Sequence, residues 1–83
     1  MPIITNFILK DTLIVNNYTV KLYHIENEDI IMESITGALV DLDPTALPNK
    51  IIERVEPISG VSKIEIYDSD NELLINSEKI ITL

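Results

Sequence analysis

The chain has 83 residues, no cysteine and a formal net charge of −8. A chain of this length makes one domain, which we expect to span residues 1–83, and the lack of cysteine excludes disulfides and thiolate metal sites. Only six residues are Lys or Arg, and they are not clustered, so we exclude direct binding to nucleic acid or to an anionic membrane.

Branched aliphatic residues dominate the apolar content. Sixteen Ile, nine Leu and five Val stand against one Phe and no Trp. Stiff, branched side chains pack well on a pleated sheet, so the composition predicts a mainly β chain. Two alternatives account for so many aliphatics in a thin core: a tight fold covers most of them, or a second chain covers some.

No apolar stretch reaches 18 residues, and residues 1–6 contain no basic residue. We therefore expect no membrane span and no signal peptide, and we expect a cytoplasmic location in the producing or host cell.

The first third of the chain predicts three strands, at residues 3–9, 12–15 and 18–25. The Asn16-Asn17 pair between the last two is typical of a two-residue hairpin turn, because Asn tolerates positive φ. In the second arm, Tyr18, Val20 and Leu22 alternate with polar or exposed positions, which indicates a half-buried strand.

The middle third predicts two further strands, at residues 30–35 and 38–42, bent apart by a bulge or tight bend at Gly37. Asp43-Pro44 is typical of a helix start, and Pro57 should end whatever helix follows. We predict one short helix at residues 49–55, preceded by a turn at 44–47; an edge strand at 49–55 is the alternative.

The last third predicts a second hairpin, with strands at residues 61–67 and 72–76 around a polar tip, and a final strand at 79–83. Lys63 and Glu65 should face outward in the first of these strands. The whole pattern, about seven short strands with one short helix, predicts a compact antiparallel sandwich or barrel; a small α+β fold is the alternative.

Three groups of residues have the chemistry of a site, and each has a simpler structural interpretation. Asp68, Asp70 and Glu72 alternate as in a calcium loop, but the glycine and the final glutamate of such a loop are missing, so we predict a polar turn. Asp41 and Asp43 flank one residue, but Asp43 is already suited to capping.

His24 is the single histidine, and Glu26 two residues later would favour its charged form. One histidine without cysteine makes a poor zinc site, and two glycines cannot build a phosphate loop. We therefore predict no catalytic residue, no metal site, no cofactor and no enzymatic activity.

The remaining feature that can indicate a function is the distribution of charge. The segment from residue 22 to residue 49 contains acidic residues but no Lys or Arg. We predict a protein-binding module whose partner has a basic surface, of the kind that phages and mobile elements use as inhibitors or accessory proteins. The alternatives are a structural subunit, such as a virion component, that oligomerises through edge strands at 3–9 and 79–83, and, more weakly, a nucleic-acid mimic. The predicted partner-binding residues are Glu26, Glu28, Asp29, Glu33, Asp41 and Asp43.

Overall fold

The computed structural model describes residues 3–4, 6–79 and 81–82. Within these ranges the chain forms six strands and two helices. In chain order they are β1 Ile3–Ile4, β2 Phe7–Val15, β3 Tyr18–Ile25, α1 Met32–Leu39, α2 Pro48–Val55, β4 Lys63–Tyr67, β5 Leu73–Glu78 and β6 Ile81–Thr82.

Four of these strands form an open antiparallel sheet in the order β2-β3-β4-β5. The two helices lie between β3 and β4 in sequence, and β3 and β4 are nevertheless neighbours. One face of the sheet packs against the helices, which form the second layer. The other face, which we call the open face, carries the alternate residues of each strand.

The first hairpin confirms the prediction from the Asn pair. Asn16 and Asn17 have φ of 52° and 69°, so both turn residues are left-handed, as a tight two-residue hairpin requires. The strands predicted separately at 3–9 and 12–15 largely merge, because β2 runs from Phe7 to Val15 without a break. A β-bulge between Leu9 and Asp11 makes Lys10 the extra residue of this strand.

The terminal segments form a separate two-stranded pair. Ile3 is opposite Thr82 and Ile4 is opposite Ile81, in antiparallel register. The segments that we predicted as exposed edges at 3–9 and 79–83 therefore pair with each other over these residues, and residues 5, 80 and 83 lie outside the described ranges. The edges of the four-stranded sheet are β2, which includes residues 7–9 of the first predicted edge, and β5.

The predicted strands at 30–35 and 38–42 are wrong, because most of this segment is helix α1. Met32, Ile35 and Leu39 recur at intervals of three and four, and this spacing turns all three toward the core while polar residues face outward. Gly37 makes no bend and no bulge, because it lies within the helix. Packing of one apolar stripe has outweighed the strand preference of the isoleucines.

The predicted helix at 49–55 is confirmed, and the edge-strand alternative is wrong. Helix α2 begins with Pro48 at its first turn and ends at Val55, just before Glu56 and Pro57. The predicted helix start at Asp43 is wrong, because residues 43–46 form a turn in which the Ala46 amide donates to the Asp43 carbonyl.

The core lies between the sheet and the helices. Its fully buried centre joins residues from both layers, and Leu13, Val15, Leu39 and Ile75 pack around it. Aliphatic side chains fill it throughout: Val20, Leu22, Ile30, Ile35, Ile51, Ile52, Val55, Val61, Ile64 and Ile66.

The prediction of a mainly β, antiparallel and compact fold is confirmed, whereas seven strands and a closed sandwich or barrel are wrong. The radius of gyration is 12.6 Å, close to the value of about 12 Å expected for a compact chain of this length. A sandwich needs a second sheet over the core, and here two helices occupy that position because the middle of the chain is helical.

Candidate functional site

Four of the six predicted partner-binding carboxylates lie at one end of the sheet. Glu26, Glu28 and Asp29 are in the loop that follows β3, and Glu33 is in the first turn of α1; all four are exposed. We call these four residues the acidic loop. Lys10 approaches it from β2, with its ammonium nitrogen 4.0 Å from Asp29, whose side chain is 99% exposed.

Asp41 and Asp43 lie beyond the other end of α1, and both have partners of their own. The Arg54 guanidinium lies 2.8 Å from Asp41, and its hydrogen bond and charge lower the pKa of that carboxyl. Asp43 accepts hydrogen bonds from the amide and hydroxyl of Thr45, which lower its pKa. Asp43 therefore stabilises a turn, and the helix-capping role predicted for it from sequence is wrong.

The structure thus separates the six carboxylates into two groups. Helix α1 carries the chain from Glu33 to Leu39, a rise of about 9 Å, and Asp41 follows two residues later. The acidic loop holds four exposed carboxylates within eight consecutive residues, and the remaining two are tied to Arg54 and Thr45. A partner that uses electrostatic attraction would meet the acidic loop as the larger uncompensated group.

All six cationic side chains of the chain have contacts within the molecule. Lys10, Lys50 and Arg54 lie near carboxylates of the loops and helices. Lys63 lies 3.6 Å from Glu65, Lys21 stacks over the Tyr67 ring, and Lys79 donates to the Ile58 carbonyl. Of these six side chains only Lys10 lies beside the acidic loop, so three of its four carboxylates have no cationic partner within the described residues.

A polar and aromatic cluster occupies the centre of the open face. Glu65 on β4 accepts hydrogen bonds from the hydroxyls of Tyr23, at 2.5 Å, and Tyr67, at 2.9 Å. The ammonium groups of Lys63 and Lys21 lie 5.2 Å and 4.8 Å from the centroids of the Tyr23 and Tyr67 rings. We call these five residues the Glu65 cluster, and the Glu65 side chain is only 14% exposed.

The pKa shifts in this cluster favour an ionised Glu65 carboxylate and neutral Tyr23 and Tyr67 hydroxyls. Burial tends to raise the pKa of Glu65, but the hydrogen bonds from both tyrosines and the Lys63 charge outweigh it, so this pKa lies below its ordinary value. Burial and the bond to Glu65 raise the pKa of Tyr23 to about 12, and the bond to Glu65 raises that of Tyr67. General acid–base catalysis at neutral pH needs pKa values moved toward 7, and these move away from it.

Sequence reasoning missed the Glu65 cluster as a unit. The alternation in β4 predicts Lys63 and Glu65 on the outward side, and that expectation is correct. The cluster exists because Lys21 is opposite Glu65 and Tyr23 is opposite Lys63 in the β3–β4 register. β3 ends 38 residues before β4 begins, so their pairing is not visible in the local sequence. The feature that could have indicated the cluster is that charged and aromatic residues alternate in the same way in both strands.

His24 and the polar tip of the second hairpin have structural partners. The His24 Nδ1 lies 2.7 Å from the hydroxyl of Ser62, which is buried, rather than using Glu26 as predicted. Asp68 accepts from the amides of Asp70 and Glu72, so the carboxylate that a calcium loop would need first is used to close the turn. Within the described residues, no group of three or more His, Asp or Glu side chains could hold a metal ion.

Two shallow grooves flank the helices. One, of about 340 Å³, lies between the turn at residues 43–46 and the start of α2. The other, of about 400 Å³, lies between α1 and the outer side of β2; we call it the β2 groove. Its lining is mainly aliphatic and includes Leu13, Ile14, Leu39 and Val40, of which Ile14 and Val40 are 71% and 79% exposed.

Neither of the two described helices has the length and apolar character needed to cross a bilayer. Comparison of the chain with protein-family models, with curated proteins and with solved structures found no match. Its function is therefore inferred from the geometry of the described residues.

Proposed function

We propose that this chain is a non-enzymatic protein-binding module that docks on a basic surface of a larger protein through its acidic loop. The observation behind the proposal is the position of Glu26, Glu28, Asp29 and Glu33, four exposed carboxylates at one end of the sheet, in a molecule whose cations are already engaged. Such a charge pattern steers a basic partner toward one end of the molecule and makes association fast and dependent on salt.

The Glu65 cluster supports a binding function over a catalytic one. Its carboxylate is held ionised and its phenols are held neutral across the physiological range. Fixed charges and fixed side-chain positions suit a surface that must present one shape to a partner. The division of the six carboxylates by α1 favours a compact docking patch over a continuous imitation of a phosphate backbone.

The test is a comparison of two charge-reversal variants with the same net charge. Glu26→Lys/Glu28→Lys alters the acidic loop, and Asp70→Lys/Glu72→Lys alters the tip of the second hairpin, at the other end of β4, about 13 Å along that strand. Asp29 is left unchanged because Lys10 lies beside it.

The tagged chain and both variants would be expressed in the producing cell, and captured proteins quantified at low and moderate salt. We expect a partner recovered by the unaltered chain and by the hairpin-tip variant, and lost with the acidic-loop variant. Equal recovery with both variants at low salt would rule out the acidic loop as the docking surface.

A further inference from the structure

The outer side of β2 is an uncovered sheet edge. β2 is the first strand of the order β2-β3-β4-β5, and within the described residues its pairing is with β3 alone. Three of its apolar side chains are exposed: Ile8 at 43%, Leu9 at 45% and Ile14 at 71%. Long apolar edges readily accept another strand, so this edge needs either a partner or protection.

The bulge at Lys10 divides β2 into two halves. In the first half the odd-numbered residues lie on the open face of the sheet, and in the second half the even-numbered residues do. Before the bulge, Leu9 is opposite Tyr23 on the open face and Ile8 is opposite His24 on the helix side. After it, the even-numbered residue Ile14 is on the open face and Leu13, opposite Val20, is on the helix side. A strand that pairs with both halves must change its alternation at the same point.

A second copy of β2 satisfies this condition. We propose that two chains pair antiparallel through their β2 strands, with the two-fold axis between Lys10 and Asp11. Each chain then meets the equivalent strand of the other chain, so the sheet becomes eight strands wide. The pairing surface contains none of the four residues of the acidic loop, although Lys10 at the axis lies 4.0 Å from Asp29.

The proposed register matches the faces of the paired residues on both sides of the bulge and places opposite charges at the axis. On the open face, Phe7 is opposite the partner's Ile14, and Leu9 is opposite the partner's Thr12. On the helix side, Ile8 is opposite the partner's Leu13. At the axis, Lys10 is opposite the partner's Asp11, and two-fold symmetry forms this ion pair twice.

Other registers lack this complementarity. In the proposed register the numbers of two opposite residues add up to 21. If one strand slides by a single residue, residues on the open face of one strand lie opposite helix-side residues of the other. A shift by two restores the faces away from the bulge but puts Lys10 opposite the partner's Leu13 or Leu9, and the charges are then unpaired. The bulge and the charges, which usually protect an edge from pairing, here select a single pairing.

The β2 groove provides a further fit. Leu13, Leu39 and Val40 line it beside the outer side of β2. In the proposed register, Ile8 of one chain stands next to Leu13 of the other on the helix side, at the mouth of this groove. Pairing therefore covers the exposed Ile8 and fills an aliphatic groove that is otherwise open to water.

Light scattering with charge variants tests the proposal. We expect the full chain to show twice its monomer mass of 9.4 kDa and to dissociate on dilution. Asp11→Lys should weaken the dimer at least about tenfold, because it places like charges opposite each other twice. The double variant Lys10→Asp/Asp11→Lys should restore the dimer, which a variant that merely unfolds would not do.

Cysteine pairs test the register, because the chain has no cysteine of its own. An equal mixture of Leu9→Cys and Thr12→Cys chains should form a mixed disulfide, and a mixture of Leu9→Cys with Asn17→Cys should not. A chain that is monomeric at all concentrations overturns the proposal. So does a dimer that ignores the charge swap or cross-links equally in both mixtures.

Discussion

At the scale of single residues, Glu65 has the most constrained environment of the described carboxylates. It accepts hydrogen bonds from Tyr23 and Tyr67 and lies 3.6 Å from Lys63, although it sits on the open face of the sheet. The tyrosine rings and lysine stems cover it, so these interactions are less screened by water than those of a surface pair. The charge of Glu65 should therefore contribute to folding stability.

We predict that Glu65→Gln lowers the free energy of unfolding at pH 7 by about 1–2 kcal/mol, because it removes charged hydrogen bonds to two phenols. The folded-state pKa of Glu65 lies below its unfolded value, so its contribution is present above the unfolded pKa and is lost as pH falls through the folded one. Urea unfolding from pH 7 down to pH 3 should show the two proteins converging below about pH 4.5.

Glu53→Gln is the matched control for this prediction. Glu53 pairs with Lys50 at 3.3 Å, but its side chain is 67% exposed, so its replacement should change stability by less than about 0.5 kcal/mol. Equal losses in the two variants, or a difference that persists at acid pH, would contradict the stabilising role of the Glu65 cluster.

The two glycines have opposite expected responses to the same substitution. Gly37 lies within α1, and a Cβ there would meet no atom within 4 Å. Alanine loses less backbone entropy in a helix than glycine, so Gly37→Ala should raise the free energy of unfolding by about 0.5–1 kcal/mol. Thermal unfolding followed by circular dichroism measures this, and a destabilised variant would show that residue 37 is not helical.

Gly60→Ala should instead destabilise the protein by about 1–3 kcal/mol. The φ of Gly60 is +94°, and an added Cβ would lie 3.4 Å from the Asp29 carbonyl oxygen. The same thermal measurement applies, with Gly37→Ala as the opposite case. A neutral result would mean that the loop after α2 adopts another backbone conformation.

At the scale of elements, the hairpins and α2 could be predicted from sequence, and α1 could not. A turn such as Asn16-Asn17 depends on the φ preferences of its own residues, which are local properties. The segment of α1 is ambiguous locally, because Met32, Ile35 and Leu39 fit a helix while the neighbouring isoleucines favour a strand. Only the apolar face of the sheet, built from distant segments, decides between them.

The first hairpin is also fastened to the segment between the helices. The Asn16 side-chain amide donates to the carbonyls of Asp43, at 2.9 Å, and Ala46, at 3.3 Å. Asn16→Ala should cost about 1–3 kcal/mol more than Asn17→Ala, because both lose a residue suited to positive φ but only the first loses these bonds. Urea unfolding of both variants tests this, and equal losses would show that the bonds contribute nothing.

At the scale of the whole molecule, the composition of the acidic loop could be predicted from sequence, but its geometry could not. The absence of Lys and Arg between residues 22 and 49 indicated an acidic surface. The separation of Asp41 and Asp43 from the other four carboxylates follows from α1, which was predicted as strand. The Glu65 cluster depends on the pairing of β3 with β4, and local patterns do not specify which strands are neighbours.

The charge balance of the molecule leads to a last prediction, about salt. The net charge is −8 and the six cations are engaged locally, so long-range repulsion among carboxylates should exceed long-range attraction. Raising ionic strength from about 0.01 M to 0.15 M shortens the screening length from about 30 Å to about 8 Å, which weakens this repulsion more than it weakens partly buried contacts such as Lys63–Glu65.

The melting temperature should therefore rise over this range of sodium chloride. In Glu26→Gln/Glu28→Gln the rise should be smaller, and the variant should be more stable than the unaltered chain at the lowest salt, because two members of the acidic loop no longer repel the others. A melting temperature that falls with salt would mean that ion pairs dominate the electrostatics. Repulsion retained at the acidic loop is a stability cost that a basic partner would relieve on binding, which is the behaviour expected of a docking surface.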